Sequence, residues 1–369
     1  MSGPGEQEAD LMAAMARLAA QFTPLPPLAA AGPPGPAEPP GRQRRSGPVV
    51  VSRRDDRLVV RCGAIVLKAH AAGTDPDHLG ARLRLAARPA LREVLLPALA
   101  ARDAPQTFML RIGSRLVSAW PAGHALDERD ADTAPWAPAG SLLARLHRAP
   151  SASGELVGLP SATVLRRLAD RIARLRPYAG HPLVVPVLAA HAVLPAIPHP
   201  VAPGQPRATL PRQPTATLPG RPTALIHGDW HFGQLVDLPG AGWRIIDVDD
   251  LGFGDPAWDL ARPAAWFACG LLPVDRWARF LDAYRAGGGP AVPAEGDPWP
   301  ALDLPARALT IEYAATAVAA HLGVAAPSPA QSPTGTGFST GSMSPLDDVG
   351  REFVAACARI ASAYRSVPG

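Results

Sequence analysis

Residues 227–261, HGDWHFGQLVDLPGAGWRIIDVDDLGFGDPAWDLA, constrain this chain more than any other part of it. The stretch places Asp229 on a short polar loop, the amide of Gln234 five residues on, and Asp247 behind an apolar run. Ala224-Leu225-Ile226 reads as a strand entering the loop, and Trp243-Arg244-Ile245-Ile246 as a strand leading to Asp247. Paired as a hairpin, these strands would carry both aspartates and the amide to one end. Phosphoryl transfer uses such a set: a carboxylate to orient a nucleophilic hydroxyl, and oxygen ligands to hold magnesium on nucleotide phosphates.

The 369 residues, 47% of them hydrophobic, can bury a full core, and the length points to two domains or lobes. No apolar run approaches the roughly 20 residues of a membrane span. The sequence shows no basic start followed by an apolar core, so no secretory signal is expected. Cys62, Cys269 and Cys357 are odd in number and widely spread, the pattern of reduced thiols in a cytoplasm. The net charge of +4 would suit nucleic acid, but the arginines are scattered and accompany no nucleic-acid motif. Neither a nucleic-acid nor a membrane partner is expected.

Lys68 is the sole lysine; every other Lys/Arg position is arginine. A bias that strong replaces lysine wherever a guanidinium will serve, so the survivor marks a place that needs a compact ammonium. Chance survival is the bland alternative. Lys68 lies in Ala64-Ile65-Val66-Leu67-Lys68-Ala69-His70, which alternates like a strand.

Residues 5–22 carry a helical stripe, Leu11, Met15, Leu18 and Phe22, expected to pack on the body of the protein or to fray. A Pro/Gly-rich linker follows to about residue 48. Residues 49–122 read as a small antiparallel sheet with one helix: strands at 49–51, 58–62 and 64–70, a helix capped by Asp75-Pro76-Asp77, and a hairpin over 108–119. Residues 123–369 read as mainly helical, with helices at 136–148, 161–176 (Ser161 as cap), 256–269, 273–286, 304–322 and 349–364. A Pro-rich insert at about 195–222 and a disordered Ser/Pro/Thr/Gly tract at about 327–344 interrupt them.

These features resemble the aminoglycoside phosphotransferase family, whose fold is similar to that of protein kinases. The resemblance runs from about residue 49 to 320. It implies a bilobal α+β fold with ATP and magnesium between the lobes. His227-Gly228-Asp229 matches the catalytic-loop motif, so Asp229 is implied to orient and deprotonate the acceptor hydroxyl. Asp247 matches the metal-binding aspartate, with Gln234 as its amide companion, in an HGDxHxGQ form that also occurs in maltokinase-like relatives. Lys68 falls where a strand lysine contacts the nucleotide α/β-phosphates, and Trp120 and Ala122 where a hinge receives adenine. Departures remain. Gln234 stands where the family usually has Asn. Arg82 and Arg84 stand where a helix glutamate would pair with Lys68, leaving Glu93 as the nearest later acid. No glycine-rich loop precedes the strands.

Around these candidates, Asp249 and Asp250 read as a solvated turn, with a metal or substrate contact by one of them as the alternative, and Asp255 and Asp259 as structural, bracing the catalytic loop. His227 reads as a buried support, His231 as a possible phosphate or substrate contact, and Trp230, Trp258, Trp266 and Trp277 as core. The expected activity is transfer of a γ-phosphoryl group to a hydroxyl of an aminoglycoside, sugar or similar small molecule. The alternatives are a non-catalytic nucleotide-binding pseudokinase or scaffold, motivated by Gln234 and the missing glutamate, and a regulator using the arginine face of residues 166–176 on nucleic acid.

Overall fold

The computed structural model describes residues 4–22, 47–54, 57–126, 134–149, 164–195, 222–324 and 345–365. Ser161 and nearly all of the expected linker, Pro-rich insert and Ser/Pro/Thr/Gly tract lie outside these residues. The chain divides into two compact units, residues 1–134 with 232–249, and residues 135–231 with 250–369.

In the first unit, β1 (Val49–Arg54), β2 (Arg57–Cys62), β3 (Ile65–Ala69), β4 (Met109–Ile112) and β5 (Arg115–Pro121) form an antiparallel sheet in the order β1-β2-β3-β5-β4. Gly63 and Gly113 open the tight turns that close β2–β3 and β4–β5. Both hold positive φ, 61° and 58°, where a side chain would be strained. Alternation along the strands sends Leu58, Val60, Leu67, Ala69, Val117 and Ala119 into one core. Met15 of α1 (Pro4–Leu18) and Phe22 beyond it are fully buried there, so the N-terminal helix is packed. Asp75 caps α2 (Pro76–Ala86) by accepting from the N–H groups of Asp77 and His78 at 2.8 and 3.0 Å.

A second sheet in this unit has the order β6-β8-β9, from β6 (His124–Ala125), β8 (Leu235–Leu238) and β9 (Gly242–Ile245). Here the expected hairpin is corrected. Strand β9 pairs with β8 through a turn at Gly240, whereas β7 (Ala224–Ile226), in the second unit, pairs with β10 (Gly252–Gly254). The reason is local. Leu235–Leu238 is itself a strand, and closing a short turn costs less chain entropy than closing the longer loop back to β7.

The second unit is built on α3 (Trp136–His147), α4 (Val164–Leu175), α5 (Val184–Ala192), α6 (Ala257–Ala268), α7 (Val274–Ala286), α8 (Trp299–His321) and α9 (Asp348–Arg365). Leu168 and Ile172 of α4, Val184 and Val187 of α5, Ile311 and Val318 of α8 and Phe353 of α9 share one core. Helices α3 and α7 meet at Gly140, where a Cβ would collide with the Phe280 carbonyl oxygen. Backbone cannot retreat as a flexible side chain can. Gly140→Ala is therefore expected to cost about 1–3 kcal/mol by overpacking, read as a lower urea midpoint; an unchanged midpoint would show that the helices separate freely.

Candidate active site

The loop carrying Asp229 is held from beneath by a buried carboxylate. Asp259, 1% exposed on α6, accepts from the backbone N–H groups of His227 at 2.6 Å and Gly228 at 2.9 Å. It also pairs at 3.0 Å with Nε2 of His147, the buried residue at the end of α3. The other ring nitrogen, Nδ1, lies 2.8 Å from the hydroxyl of Tyr284, which accepts from the Ala291 N–H at 3.0 Å. The Asp259 carboxylate can only accept, so the hydrogen between the two lies on His147 Nε2, which donates to it. Burial by itself would raise the Asp259 pKa; His147 and the backbone donors outweigh it and hold the carboxyl below its ordinary range. Gly228, at φ 80°, lets the chain turn between the braced amides and Asp229. The bracing role expected of Asp259 and the supporting role of the buried His227 both fit this geometry.

Two arginines converge on Asp229. Arg262 Nη2 and Arg167 Nη2 reach the same oxygen, Oδ1, at 2.9 and 3.1 Å. Arg167 also contacts Asp250 at 3.2 Å, Glu312 at 3.5 Å and the Gly228 carbonyl at 3.0 Å, and Arg171 adds a contact to Glu312 at 3.3 Å. Arg262 lies over the Tyr313 ring, 5.2 Å from its centroid. Burial pushes the Tyr313 hydroxyl up to about 12.

In the first unit Lys68 is buried, and its ammonium bridges Asp247 at 2.7 Å and Asp249 at 2.8 Å. Burial would lower its pKa, but the two carboxylates reverse that and raise it. Asp249 is not in a solvated turn. Burial alone would raise its pKa, yet Lys68 and His70 hold it far below the carboxylate range, with His70 Nδ1 3.4 Å from Oδ1. His70 is fixed in turn by Ser118 at 2.5 Å. Lys68 thus draws its partners from the loop after β9, while Glu93 is exposed. Asp250, the other residue of the expected turn, is engaged by Arg167.

Asp247 occupies the left-handed region at φ 62°, a strain that Asp tolerates better than most residues. Gln234 is buried, and its backbone carbonyl accepts from the Ile246 N–H at 2.8 Å, so its backbone stands opposite the residue preceding Asp247. Trp120 is buried at the end of β5, and the Ala122 N–H is taken by the Ala64 carbonyl at 2.8 Å. Trp230 is buried and stacked on Phe280, 5.4 Å between centroids, and Trp277 is likewise core.

Residues 81–299, more than half of the chain, match the model of the phosphotransferase enzyme family. The chain belongs to that family. Amicoumacin kinase hAmiN, solved with AMP-PNP, Ca2+ and Ami, resembles it at 12% identity and a TM-score of 0.51, over 97% of this chain and 96% of that one. A choline/ethanolamine kinase family protein from Mesorhizobium loti aligns over the same shares at 19% identity and a TM-score of 0.47. A thermostable mutant of the aminoglycoside phosphotransferase APH(4)-Ia aligns over 87% of this chain and 96% of that one, at 12% identity and a TM-score of 0.48. No curated protein matches the sequence. The phosphotransferase's fold is kinase-like α+β, with an antiparallel sheet in the first unit and helices dominating the second.

Sequence reasoning missed Asp249 as the partner of Lys68, and Arg167, Arg262, His147 and Tyr284. Two signals were available. Arg262 lies three residues after Asp259 on α6, and Arg167 lies four before Arg171 on α4, spacings that share a helix face. His147 and Tyr284 carried none.

The Asp259 contacts set a pH dependence. Because its pKa is depressed on folding, its stabilisation is full above the ordinary carboxylate pKa of about 4 and is lost as pH falls through the folded value. Asp259→Asn is expected to cost on the order of 3 kcal/mol at neutral pH. Urea denaturation should show that cost shrinking in acid; a cost independent of pH would contradict this account.

Proposed function

We propose that this phosphotransferase is an ATP-dependent kinase that moves the γ-phosphoryl group to a hydroxyl of a small molecule. The observation that carries the reading is the state of Asp229. Both guanidiniums take Oδ1, and among the described residues Oδ2 has no hydrogen-bond partner. A carboxylate fixed on one side and open on the other is suited to accept the hydroxyl proton and aim the oxygen lone pair.

Asp247 and Gln234 would hold magnesium. One carboxylate and one amide, both oxygen donors, flank the end of the β8–β9 ladder, where the Gln234 backbone carbonyl accepts from the N–H of the residue before Asp247; that donor chemistry suits a cation that keeps waters and phosphate oxygens in its shell. When bound, magnesium supplies neutralisation of the charge on the β- and γ-phosphate oxygens. The Lys68 ammonium has three donors, of which Asp247 and Asp249 take two, leaving one for a phosphate oxygen. A planar guanidinium would not divide its donors this way. Adenine would lie at Trp120 and Ala122, using groups other than the committed Ala122 N–H. The described residues contain no helix long and apolar enough to cross a membrane. We place the enzyme in the cytoplasm, with neither nucleic acid nor membrane as partner.

The test is turnover of ATP·Mg with sugars, amino sugars, aminoglycosides, choline and homoserine. Asp229→Asn is expected to lower kcat about a hundredfold or more, and Lys68→Arg to lower kcat/KM at least about tenfold. Absence of both turnover and ATP binding in the wild type would overturn the reading. Wild-type rates in Lys68→Arg would overturn the role given to the ammonium.

A further inference from the structure

The charge around Asp229 bears on the acceptor, an inference that rests on the kinase reading above. Three carboxylates gather there, Asp229, Asp250 and Glu312, and three guanidiniums answer them, Arg167, Arg171 and Arg262. A polycationic acceptor needs carboxylates that are free to receive it. Here Asp250 and Glu312 are engaged by arginine and Asp229 keeps only Oδ2 open, so three guanidiniums cancel three carboxylates and the cluster offers a polycation no net negative charge. Glu312 Oε2 is the one carboxylate oxygen of this cluster buried without a hydrogen bond, and burial keeps it from direct contact with a ligand.

Arg262 differs from the other two arginines. Arg167 and Arg171 are tied to Glu312, whereas Arg262 spends Nη2 on Asp229 and, among the described residues, nothing on Nε or Nη1. Its side chain is 23% exposed, and its guanidinium lies over the Tyr313 ring. A pre-oriented fork with open donors, next to the carboxylate that aims the hydroxyl, matches the two oxygens of a carboxylate or phosphate. We infer that the acceptor is a small hydroxylated anion, its carboxylate or phosphate bound by Arg262 and its hydroxyl presented to Oδ2 of Asp229. The anion shares Arg262 with Asp229 Oδ1 and need not displace it.

The experiment compares acceptors matched in size but not in charge, with ATP·Mg: glycerate and glycerol phosphate, glycerol, and choline with an aminoglycoside. The two anions separate a carboxylate site from a phosphate site. At least one anion should show a KM about tenfold or more below that of glycerol. Arg262→Gln should erase that preference by raising KM for the anion far more than it lowers kcat, and Arg262→Lys should restore part of it. Should Arg262→Gln fail to fold, inhibition of the wild type by propionate, which has a carboxylate but no hydroxyl to phosphorylate, and not by propanol, reads the same site. If turnover proceeds without preference for anions, or the preference survives Arg262→Gln, the inference falls and the kinase reading stands. If no acceptor is phosphorylated and ATP does not bind, both fall.

Discussion

The buried carboxylate of Asp259 is the constraint on which the Asp229 loop of the second unit depends. An ionised group with 1% exposure is tolerable only if its oxygens are fully used. Asp259 meets that demand with the two backbone amides that precede Asp229 and with His147. The loop's shape is therefore a by-product of satisfying a charge. His147 must stay within reach, so α3 must lie close against α7, which explains a glycine at position 140 and a tyrosine at position 284 whose hydroxyl completes the chain of donors. Moving any one of these elements leaves a buried charge short of a donor, which costs far more than a surface contact.

Lys68 imposes the corresponding order on the first unit. Its ammonium fixes two side chains of one short loop, Asp247 and Asp249, and the loop accepts a left-handed residue at Asp247. Strain of that kind, on the order of 1 kcal/mol or more, persists only where surroundings determine the conformation. The surroundings here are the buried ion pairs and the His70–Ser118 pair behind Asp249. Asp249 pairs with the lysine from two residues beyond Asp247, so one short loop supplies both partners of the ammonium.

The parts of this architecture legible in the sequence were those written in short-range chemistry. The tight turns at Gly63 and Gly113, the cap at Asp75 and the strand around Lys68 follow from local preferences and emerge where the sequence puts them. Pairing was not legible, because β7 and β9 both read as strands and only the strand between them decides which partner each takes. Helix α5 was missed because its Val-Val-Pro-Val start looks like anything but a helix; burial of Val184, Val187 and Ala190 against the core overrides propensity. Pro305 hid the true start of α8, which begins at Trp299 with its N–H on the Asp297 carboxylate. In the site, residues within the motif could be named, but their partners came from elements up to 179 residues away, and no local pattern records such a meeting.

The doubling of arginines on Asp229 makes sense once the chemistry's demands are considered. In a loose phosphoryl-transfer transition state the attacking hydroxyl forms little bond, so aiming it matters more than stripping its proton early. Clamping Oδ1 with two guanidiniums fixes the plane of the carboxylate and thereby the direction of the Oδ2 lone pairs. On the proposed reading, the same clamp would add positive charge beside an acceptor oxygen that becomes more negative as its proton leaves and beside a phosphoryl group that is anionic throughout. Orientation and electrostatic stabilisation would thus come from one set of side chains, the set that also holds Arg262 beside Asp229.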